Sequence, residues 1–189
     1  MKLSKGARLA ALGVLLVVID QVIKVLVKTN MSLGQVIPVF GDWFRLCFVE
    51  NEGMAFGMAF GGILGKAILS VFRIVLTGAL IWWISRLVKR ADVPTGVLVG
   101  LTLITAGAFG NIVDSLFYGI IWPELRIDGA PFGFMFGKVV DMFSATFFPP
   151  VFNFADSCVT VGAFYLILFQ WKFFSSDGQP KDESKSGGQ

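Results

Sequence analysis

Residues 95–116 read TGVLVGLTLITAGAFGNIVDSL, and this stretch decides the class of the protein. It contains no charged residue before Asp114. A helix that spans a bilayer needs about 20 mostly apolar residues, because the chain rises only about 1.5 Å per helical residue. Three further stretches meet this requirement, at residues 7–27, 67–87 and 156–174. The sequence therefore predicts an all-α integral membrane protein with four transmembrane helices.

The composition agrees with a membrane protein. Hydrophobic residues make up 55% of the 189-residue chain and charged residues 15%, against about 25% charged residues in a typical soluble domain. The length fits one domain, which we place at residues 1–175. Residues 176–189 are rich in Ser, Gly and Lys and are predicted to form a disordered cytoplasmic tail. No continuous basic face is evident, so nucleic-acid binding is not expected.

Basic residues flank the predicted spans and indicate their direction. One cluster precedes the first span, a second separates the second and third spans, and a third follows the fourth. Because cytoplasmic loops carry the excess of Lys and Arg, both termini are predicted to be cytoplasmic, and connections 28–66 and 117–155 to face outward. The clusters are Lys2, Lys5 and Arg8; Arg86, Lys89 and Arg90; and Lys172, Lys181 and Lys185.

Polar residues of the spans collect near the outward end. Asp20 lies about 20 Å along the first span, and Lys24 follows at i+4, so that the two can form an ion pair inside the membrane. Charges at such depth are usually functional or paired. A site that opens outward explains clustering at one depth better than a transport pathway does. The other members are Asn51 in the first outer connection, Asn111 and Asp114 late in the third span, Asp141 in a loop before the fourth span, and Asp156 at its start.

The chain contains no histidine, which excludes histidine-based triads and histidine-ligated metal sites. A carboxylate pair or a Ser–Lys pair could still hydrolyse a peptide. Two neighbouring carboxylates cannot both ionise cheaply, so one keeps a proton while the other deprotonates a water molecule. Asp141 and Asp156 are the candidates for such a pair. Ser157 with Lys138 or Lys24 is the alternative hydrolase, and a small ion-coupled transporter or channel is the alternative outside enzymes.

Five sequence blocks, in order along the chain, carry a specific resemblance. They are Asp20-Gln21-x-x-Lys24, Asn51-x-Gly53-x-Ala55-Phe56, Gly107-Ala108-x-Gly110-Asn111-x-x-Asp114, Val139-Val140-Asp141-x-Phe143 and Phe152-Asn153-x-Ala155-Asp156-Ser157. This series resembles the lipoprotein signal peptidase, or signal peptidase II, family. Any single block would be weak evidence, whereas the ordered set is specific.

The resemblance implies an aspartic endopeptidase of the bacterial inner membrane. It would remove the signal peptide of prolipoproteins by cutting just before a diacylglyceryl-modified cysteine, with Asp141 and Asp156 as the catalytic pair. It implies no metal or organic cofactor. The implied partners are prolipoproteins, membrane lipids and globomycin-type cyclic peptide inhibitors. We expect a monomer. It also implies a small extracytoplasmic β-cradle in the first outer loop, with which the strand-like run 43–49 agrees. The implied substrate-binding or supporting residues are Asn51, Gly53, Asn111, Asp114, Asn153, Asp20 and Lys24.

Two features depart from the family pattern. Similar proteins usually carry Arg directly after the Asp of the third block, where this chain has Ser115. Arg73, Arg126 and Lys138 are three candidate replacements for its charge, although Arg73 also fits a side chain that extends to the interfacial water. Residues 122–136 look like an insertion. Neither departure touches the two predicted catalytic positions.

Overall fold

The computed structural model describes residues 3–52 and 62–176. Predicted site residue Gly53 and residues 177–189 of the predicted tail lie outside this part of the chain. A π-helical turn over Asp114–Tyr118 joins α3 to α4, and a 3₁₀ turn follows at Pro123–Leu125. The elements are α1 (Lys5–Asn30), β1 (Val36–Phe40), β2 (Phe44–Asn51), α2 (Gly62–Leu87), α3 (Thr95–Val113), α4 (Gly119–Ile121), β3 (Val139–Ala145), β4 (Phe148–Phe152), α5 (Phe154–Phe169) and α6 (Trp171–Ser176).

Several long apolar helices dominate the fold. Within the described residues, three helical segments are long and apolar enough to cross a membrane: α1, α2 and the continuous stretch Thr95–Ile121. They correspond to the first three predicted spans. The fourth predicted span, 156–174, covers most of α5, which has only 16 residues, and part of α6, with a break in the helix at Gln170 between them. A break at this point leaves α5 shorter than the usual spanning length of about 20 residues.

Helix α3 is the centre of the bundle and packs against α1, α2 and α5. Its sequence has glycines where the neighbours approach most closely. A Cβ atom on Gly107 would collide with the carbonyl oxygen of Ala155, and one on Gly110 would lie 2.6 Å from the Asp20 carboxylate. Small residues permit this close contact between helices in a membrane, so the glycines set the distance from α3 to α1 and α5.

Replacing Gly107 by Ala should lower the thermal stability of the purified protein, since the added methyl group meets backbone atoms that cannot move aside. Gly78 provides the matched control on α2, because a Cβ atom there has no neighbour within 4 Å. Gly78→Ala should leave the melting temperature unchanged or raise it, given the better helix propensity of Ala. Equal melting temperatures for the two variants would contradict this packing account.

The surfaces of α1, α2 and α5 that face away from the bundle carry large apolar side chains. In a water-soluble protein such broad apolar surfaces would be a liability, whereas lipid tails solvate them well. The polar backbone groups are satisfied inside each helix, as the hydrocarbon region requires. Examples of the exposed side chains are Leu64, Ile68, Val75, Phe164, Ile167 and Phe169.

A four-stranded antiparallel sheet in the order β1-β2-β3-β4 caps one end of the bundle. The prediction of a β element was correct in kind, but the expectation that it lies in the first connection alone was incomplete, because β3 and β4 come from the connection 117–155. Asp141, predicted in a loop, is in β3 opposite Val49 of β2. Its neighbours Val140 and Met142 are fully buried against Phe48. β-Branched and apolar residues favour such a buried strand.

Candidate active site

A buried ion cluster joins α1 to α3 below the sheet. The Lys24 ammonium lies 2.9 Å from the Asp20 carboxylate and 2.7 Å from that of Asp114, and it donates a hydrogen bond of 2.9 Å to Asn111 Oδ1. An ammonium has three N–H donors, and each has an acceptor here. The i,i+4 ion pair predicted for Asp20 and Lys24 is thus present, and it has two further partners, Asn111 of α3 and Asp114 of the π-helical turn.

The two carboxylates of this cluster also hold backbone groups of other elements. Asp20 Oδ1 accepts the N–H of Ala155 at 2.8 Å, which satisfies a free donor at the start of α5. Asp114 Oδ2 accepts the N–H of Val140 in β3 at 3.3 Å, and its Oδ1 accepts from Gln21 at 2.9 Å. One buried cluster therefore fixes the relative positions of α1, α3, α5 and the sheet.

Asp141 and Asp156 reach the site from different elements. Asp141 projects from β3, where it is almost completely buried. Asp156 lies in the first turn of α5 and forms a capping box with Asn153: the Asp156 N–H donates to Asn153 Oδ1 at 2.9 Å, and the Asn153 N–H donates to Asp156 Oδ2 at 3.2 Å. This reciprocal pair satisfies helix donors, and the helix N-terminus favours the negative charge of Asp156.

Three asparagine side chains link the two carboxylates. The amide nitrogens of Asn51 and Asn153 donate to Asp141 Oδ2 and Oδ1 at 2.9 and 2.7 Å. Asn111 donates to Asp156 Oδ1 at 2.8 Å. The Asn153 side chain also donates to Asn111 Oδ1 at 3.0 Å. Asn153 therefore contacts both carboxylates, through its side chain on one and its backbone N–H on the other.

The surroundings of Asp141 favour its protonated form. Burial is the largest cause and the negative charge of Asp156 the next, and together they raise the pKa of Asp141 from 3.8 to about 7. The hydrogen bonds from Asn51 and Asn153 and the charge of Lys24 oppose this shift without cancelling it. A carboxyl group whose surroundings favour the protonated form is suited to act as an acid beside a second carboxyl group.

The raised pKa of Asp141 predicts how stability depends on pH. A folded-state pKa of about 7 against an ordinary 3.8 means that the folded protein favours the protonated form. The associated stability is fully present below the ordinary value and is lost as the pH rises through about 7. Asp141→Asn stays neutral, so its melting temperature relative to that of the wild type should rise between pH 3.8 and about 7 and stay constant above that range. A pH-independent difference in thermal unfolding between the two proteins would contradict the shift.

A cavity of about 830 Å³ opens beside the two carboxylates. Its wall combines a polar part near α3 and α5 with an aromatic part supplied by the ends of the sheet, which suits a ligand that has both polar and apolar portions. Polar groups of the wall include Asn51, Arg73, Asn111, Asp141, Asp156 and Ser157. Its aromatic groups are Phe40, Trp43, Phe44, Phe147, Phe148 and Phe152.

The alternative Ser–Lys pair does not form. The Ser157 hydroxyl donates to the carbonyl oxygen of Asn153 at 3.0 Å. Lys138 lies 3.5 Å from the Glu50 carboxylate, and the three donors of Lys24 are used within the ion cluster. Neither lysine is therefore placed to take a proton from Ser157.

The three candidate replacements for a charge at Ser115 occupy different places. Arg126 is exposed, Lys138 pairs with Glu50 of β2, and Arg73 is half-buried in the cavity wall. The cation that contacts Ser115 is none of these. It is the buried Lys66 of α2, whose ammonium lies 3.4 Å from the Ser115 hydroxyl.

Other polar residues around the ion cluster were not predicted as part of the site. Gln21 donates to Asp114 and accepts a hydrogen bond of 3.0 Å from the Tyr118 hydroxyl. Gln21 belongs to the first sequence block, and its place one position after Asp20 was the available signal. Tyr118 is the last residue of the π-helical turn that begins at Asp114, and no local pattern predicts such a turn. π-Bulges are frequent at functional sites.

Known proteins are similar to this chain in sequence and in fold. A family model described as "Signal peptidase (SPase) II" matches residues 12–172. The chain belongs to the signal peptidase II family. The lipoprotein signal peptidase of Porphyromonas gingivalis is 42% identical over 194 aligned residues, which cover 88% of this chain and 84% of the relative. That of Amoebophilus asiaticus is 36% identical and covers 83% and 75%.

Solved structures agree with this family membership. A bacterial membrane enzyme determined by the in meso method at 2.3 Å resolution superposes with a TM-score of 0.68 at 25% identity, over 92% of this chain and 93% of the other. A second, at 1.9 Å, gives 0.65 at 26% identity, over 87% and 93%. This signal peptidase is therefore a protease of lipoprotein processing and a multi-pass bacterial membrane protein.

Proposed function

We propose that this signal peptidase is an aspartic endopeptidase that cuts prolipoproteins just before a diacylglyceryl-modified cysteine. The observation that carries the proposal is the pair Asp141 and Asp156, joined through Asn153 and facing one cavity. The pair stands on two rigid elements, a buried strand and a helix N-terminus. Such support holds reacting groups in a fixed geometry, which is how positioning lowers a barrier.

In this mechanism Asp156 is the base and Asp141 the acid. Asp156 takes a proton from a water molecule, the resulting hydroxide bonds to the scissile carbonyl carbon, and Asp141 gives its proton to the carbonyl oxygen. The C–N bond then breaks while Asp156 returns its proton to the leaving nitrogen and Asp141 takes one back from the diol. The raised pKa of Asp141 supports its role as the initial proton donor.

The supporting residues would act through the carboxylates. Asn51 and Asn153 hold both oxygens of Asp141, and Asn111 holds one oxygen of Asp156. Behind them, Lys24 joins Asn111 to the acids of the ion cluster. Hydrogen bonds of this kind fix the rotamers of reacting groups.

The cavity suits a substrate with a lipid attached beside the scissile bond. The diacylglyceryl chains would lie along the aromatic wall and the outer faces of the helices, while the peptide crosses the carboxylate pair. Membrane lipids would border the same surface. The acyl chains already lie in the bilayer before binding, so no transfer from water drives this contact; the lipid would instead position the scissile bond beside the carboxylates.

We further propose four spans, with α5 and α6 together as the fourth, both termini in the cytoplasm and the sheet on the outer side of the inner membrane. A cysteine introduced at Asp42, in the exposed turn between β1 and β2, should then react with a membrane-impermeant maleimide in intact spheroplasts. One introduced at Asp92, between α2 and α3, should react only after permeabilisation. Cys47→Ser removes the half-buried native thiol as background. The reverse labelling pattern would overturn this orientation.

The test of the proposed function compares two forms of one prolipoprotein, with and without diacylglyceryl on its cysteine, incubated with purified enzyme. We expect cleavage of the modified form alone, and a mass spectrum in which the new N-terminus is the lipidated cysteine. Equal cleavage of both forms, or cleavage at another bond, would contradict the proposal.

A further inference from the structure

Helix α2 turns one polar face towards the bundle. Lys66, Ser70, Arg73 and Thr77 follow one another at helical spacing along this face, and all but Arg73 are buried. Lys66 contacts the Ser115 hydroxyl, and the Ser70 hydroxyl donates to the carbonyl oxygen of Met135 at 3.2 Å. Arg73 is the member of this face that lines the cavity.

The guanidinium of Arg73 has an unused donor in a buried position. Within residues 3–52 and 62–176, the buried side-chain atoms without a hydrogen-bond partner are Arg45 Nε, Arg73 Nη1 and Thr77 Oγ1. Of these three residues, only Arg73 lines the cavity. A buried donor without an acceptor is costly, and such exceptions call for an explanation. An arginine that merely extends to water would have hydrated nitrogens, and Nη1 is shielded instead.

The charges around Arg73 are those of the proposed reaction centre. Its guanidinium is attracted by the carboxylates of Asp156, Asp141 and Asp114. Arg73, Asp141 and Asp156 line one cavity, in which a scissile bond would lie.

We propose that Arg73 is a further catalytic residue, whose Nη1–H donates a hydrogen bond to the scissile carbonyl oxygen. This inference rests on the function proposed above. Electron density on that oxygen grows as hydroxide adds to the carbonyl carbon, before the proton of Asp141 has fully arrived. A positioned cationic donor stabilises this developing charge more than it stabilises the ground state. After cleavage the same oxygen belongs to the new carboxylate of the signal peptide.

The test measures kcat and KM for cleavage of a diacylglyceryl prolipoprotein by the wild type, Arg73→Gln and Arg73→Lys over a range of pH. Removing one donor of this kind costs about 10²–10³-fold in kcat, so Arg73→Gln should lose that much with little change in KM. Arg73→Lys keeps a charge but lacks the planar fork, and should retain part of the rate. Arg86→Gln is the matched control, since Arg86 lies at the other end of α2 over the Trp82 ring.

The dependence of kcat on pH distinguishes two roles for Arg73. In one it donates a hydrogen bond to the scissile carbonyl oxygen, and in the other it only shifts the pKa values of the carboxylates. A guanidinium stays charged at every pH used, so the proposal predicts a loss in kcat that remains at the optimum pH of each variant, with a melting temperature no lower than that of the wild type. Recovery of the full rate at another pH would overturn it, since Arg73 would then only adjust the carboxylates. Wild-type kcat in both variants would also overturn it. If Arg73→Gln does not fold, Arg73→Lys carries the same comparison.

Asp141→Asn and Asp156→Asn belong in the same assay. If they are inactive while Arg73→Gln is fully active, only the inference about Arg73 fails. If they remain active, the proposed function itself fails.

Discussion

Lys24→Met is expected to cause the largest loss of stability among single substitutions in this peptidase. The variant leaves the carboxylates of Asp20 and Asp114 buried without their cation, and it removes a donor from Asn111. Breaking a buried ion pair by removing one partner typically costs about 3–5 kcal/mol. We therefore expect a large drop in the melting temperature of the detergent-solubilised protein, measured by thermal unfolding. The mutant sample should also be inactive, since the cluster positions both α5 and β3.

The double variant Lys24→Met/Asp114→Asn provides the control for this prediction. It removes one of the two carboxylates left without a cation, so it should be more stable than Lys24→Met alone, although Asp114→Asn by itself should be destabilising. If Asp114→Asn destabilises the wild type but stabilises Lys24→Met, the double-mutant cycle shows that the two side chains interact directly. Additive losses would mean that Lys24 contributes mainly by packing, and would contradict the ionic account.

Asp156→Asn and Asp141→Asn are expected to have the largest effects on activity. Each replaces a carboxylate by an amide of nearly the same shape, which cannot exchange a proton with water or with the carbonyl oxygen. General acid–base groups contribute about 10²–10⁴-fold to rate, so each variant should lose at least that much in prolipoprotein cleavage, followed by gel shift. Asp42→Asn, in the exposed turn between β1 and β2, is the matched control and should cleave at the wild-type rate.

Stability should distinguish these variants from the one at Lys24. Asp141→Asn removes a carboxyl group whose charge the fold disfavours, so it should fold at least as well as the wild type near neutral pH. Inactivity together with normal thermal unfolding would assign the loss to chemistry. Near-normal cleavage by either variant would contradict the role given to that carboxylate.

Much of the helical framework could be predicted because it depends on the pattern of residues that are close together in the sequence. The apolar run before Asn111 requires a membrane span, and the i,i+4 spacing of Asp20 and Lys24 places both on one face of α1. The partners of this pair, Asn111 of α3 and Asp114 of the π-helical turn, could not be predicted from spacing within α1. They depend on how closely the glycines of α3 allow the helices to approach.

The sheet was only partly predictable, because strand pairing is long-range. β4 contains Pro149 and Pro150, and proline usually argues against a strand unless it lies at an edge, which is where β4 stands. Asp141 interrupts a short apolar run, so it resembled a loop residue. The antiparallel register of β2 and β3 is what brings Asn51 next to Asp141.

The role proposed for Arg73 could not be predicted either, because it depends on contacts between residues that are distant in the sequence. Its position on α2 is compatible with a side chain that reaches the interface, and the sequence contains nothing that reveals the cavity beside it. The environment of Arg73 is formed by residues from β3, α3 and α5, which are distant along the chain.

The most direct test of the account is the single-turnover rate of prolipoprotein cleavage by the wild type, Asp141→Asn, Asp156→Asn and the double variant. Residues that act as one unit show strongly non-additive losses. If the two aspartates act as one catalytic pair, the double variant is no slower than the slower single variant, and all three are far below the wild type. Losses that multiply in the double variant, or a single variant close to the wild-type rate, would contradict a catalytic pair.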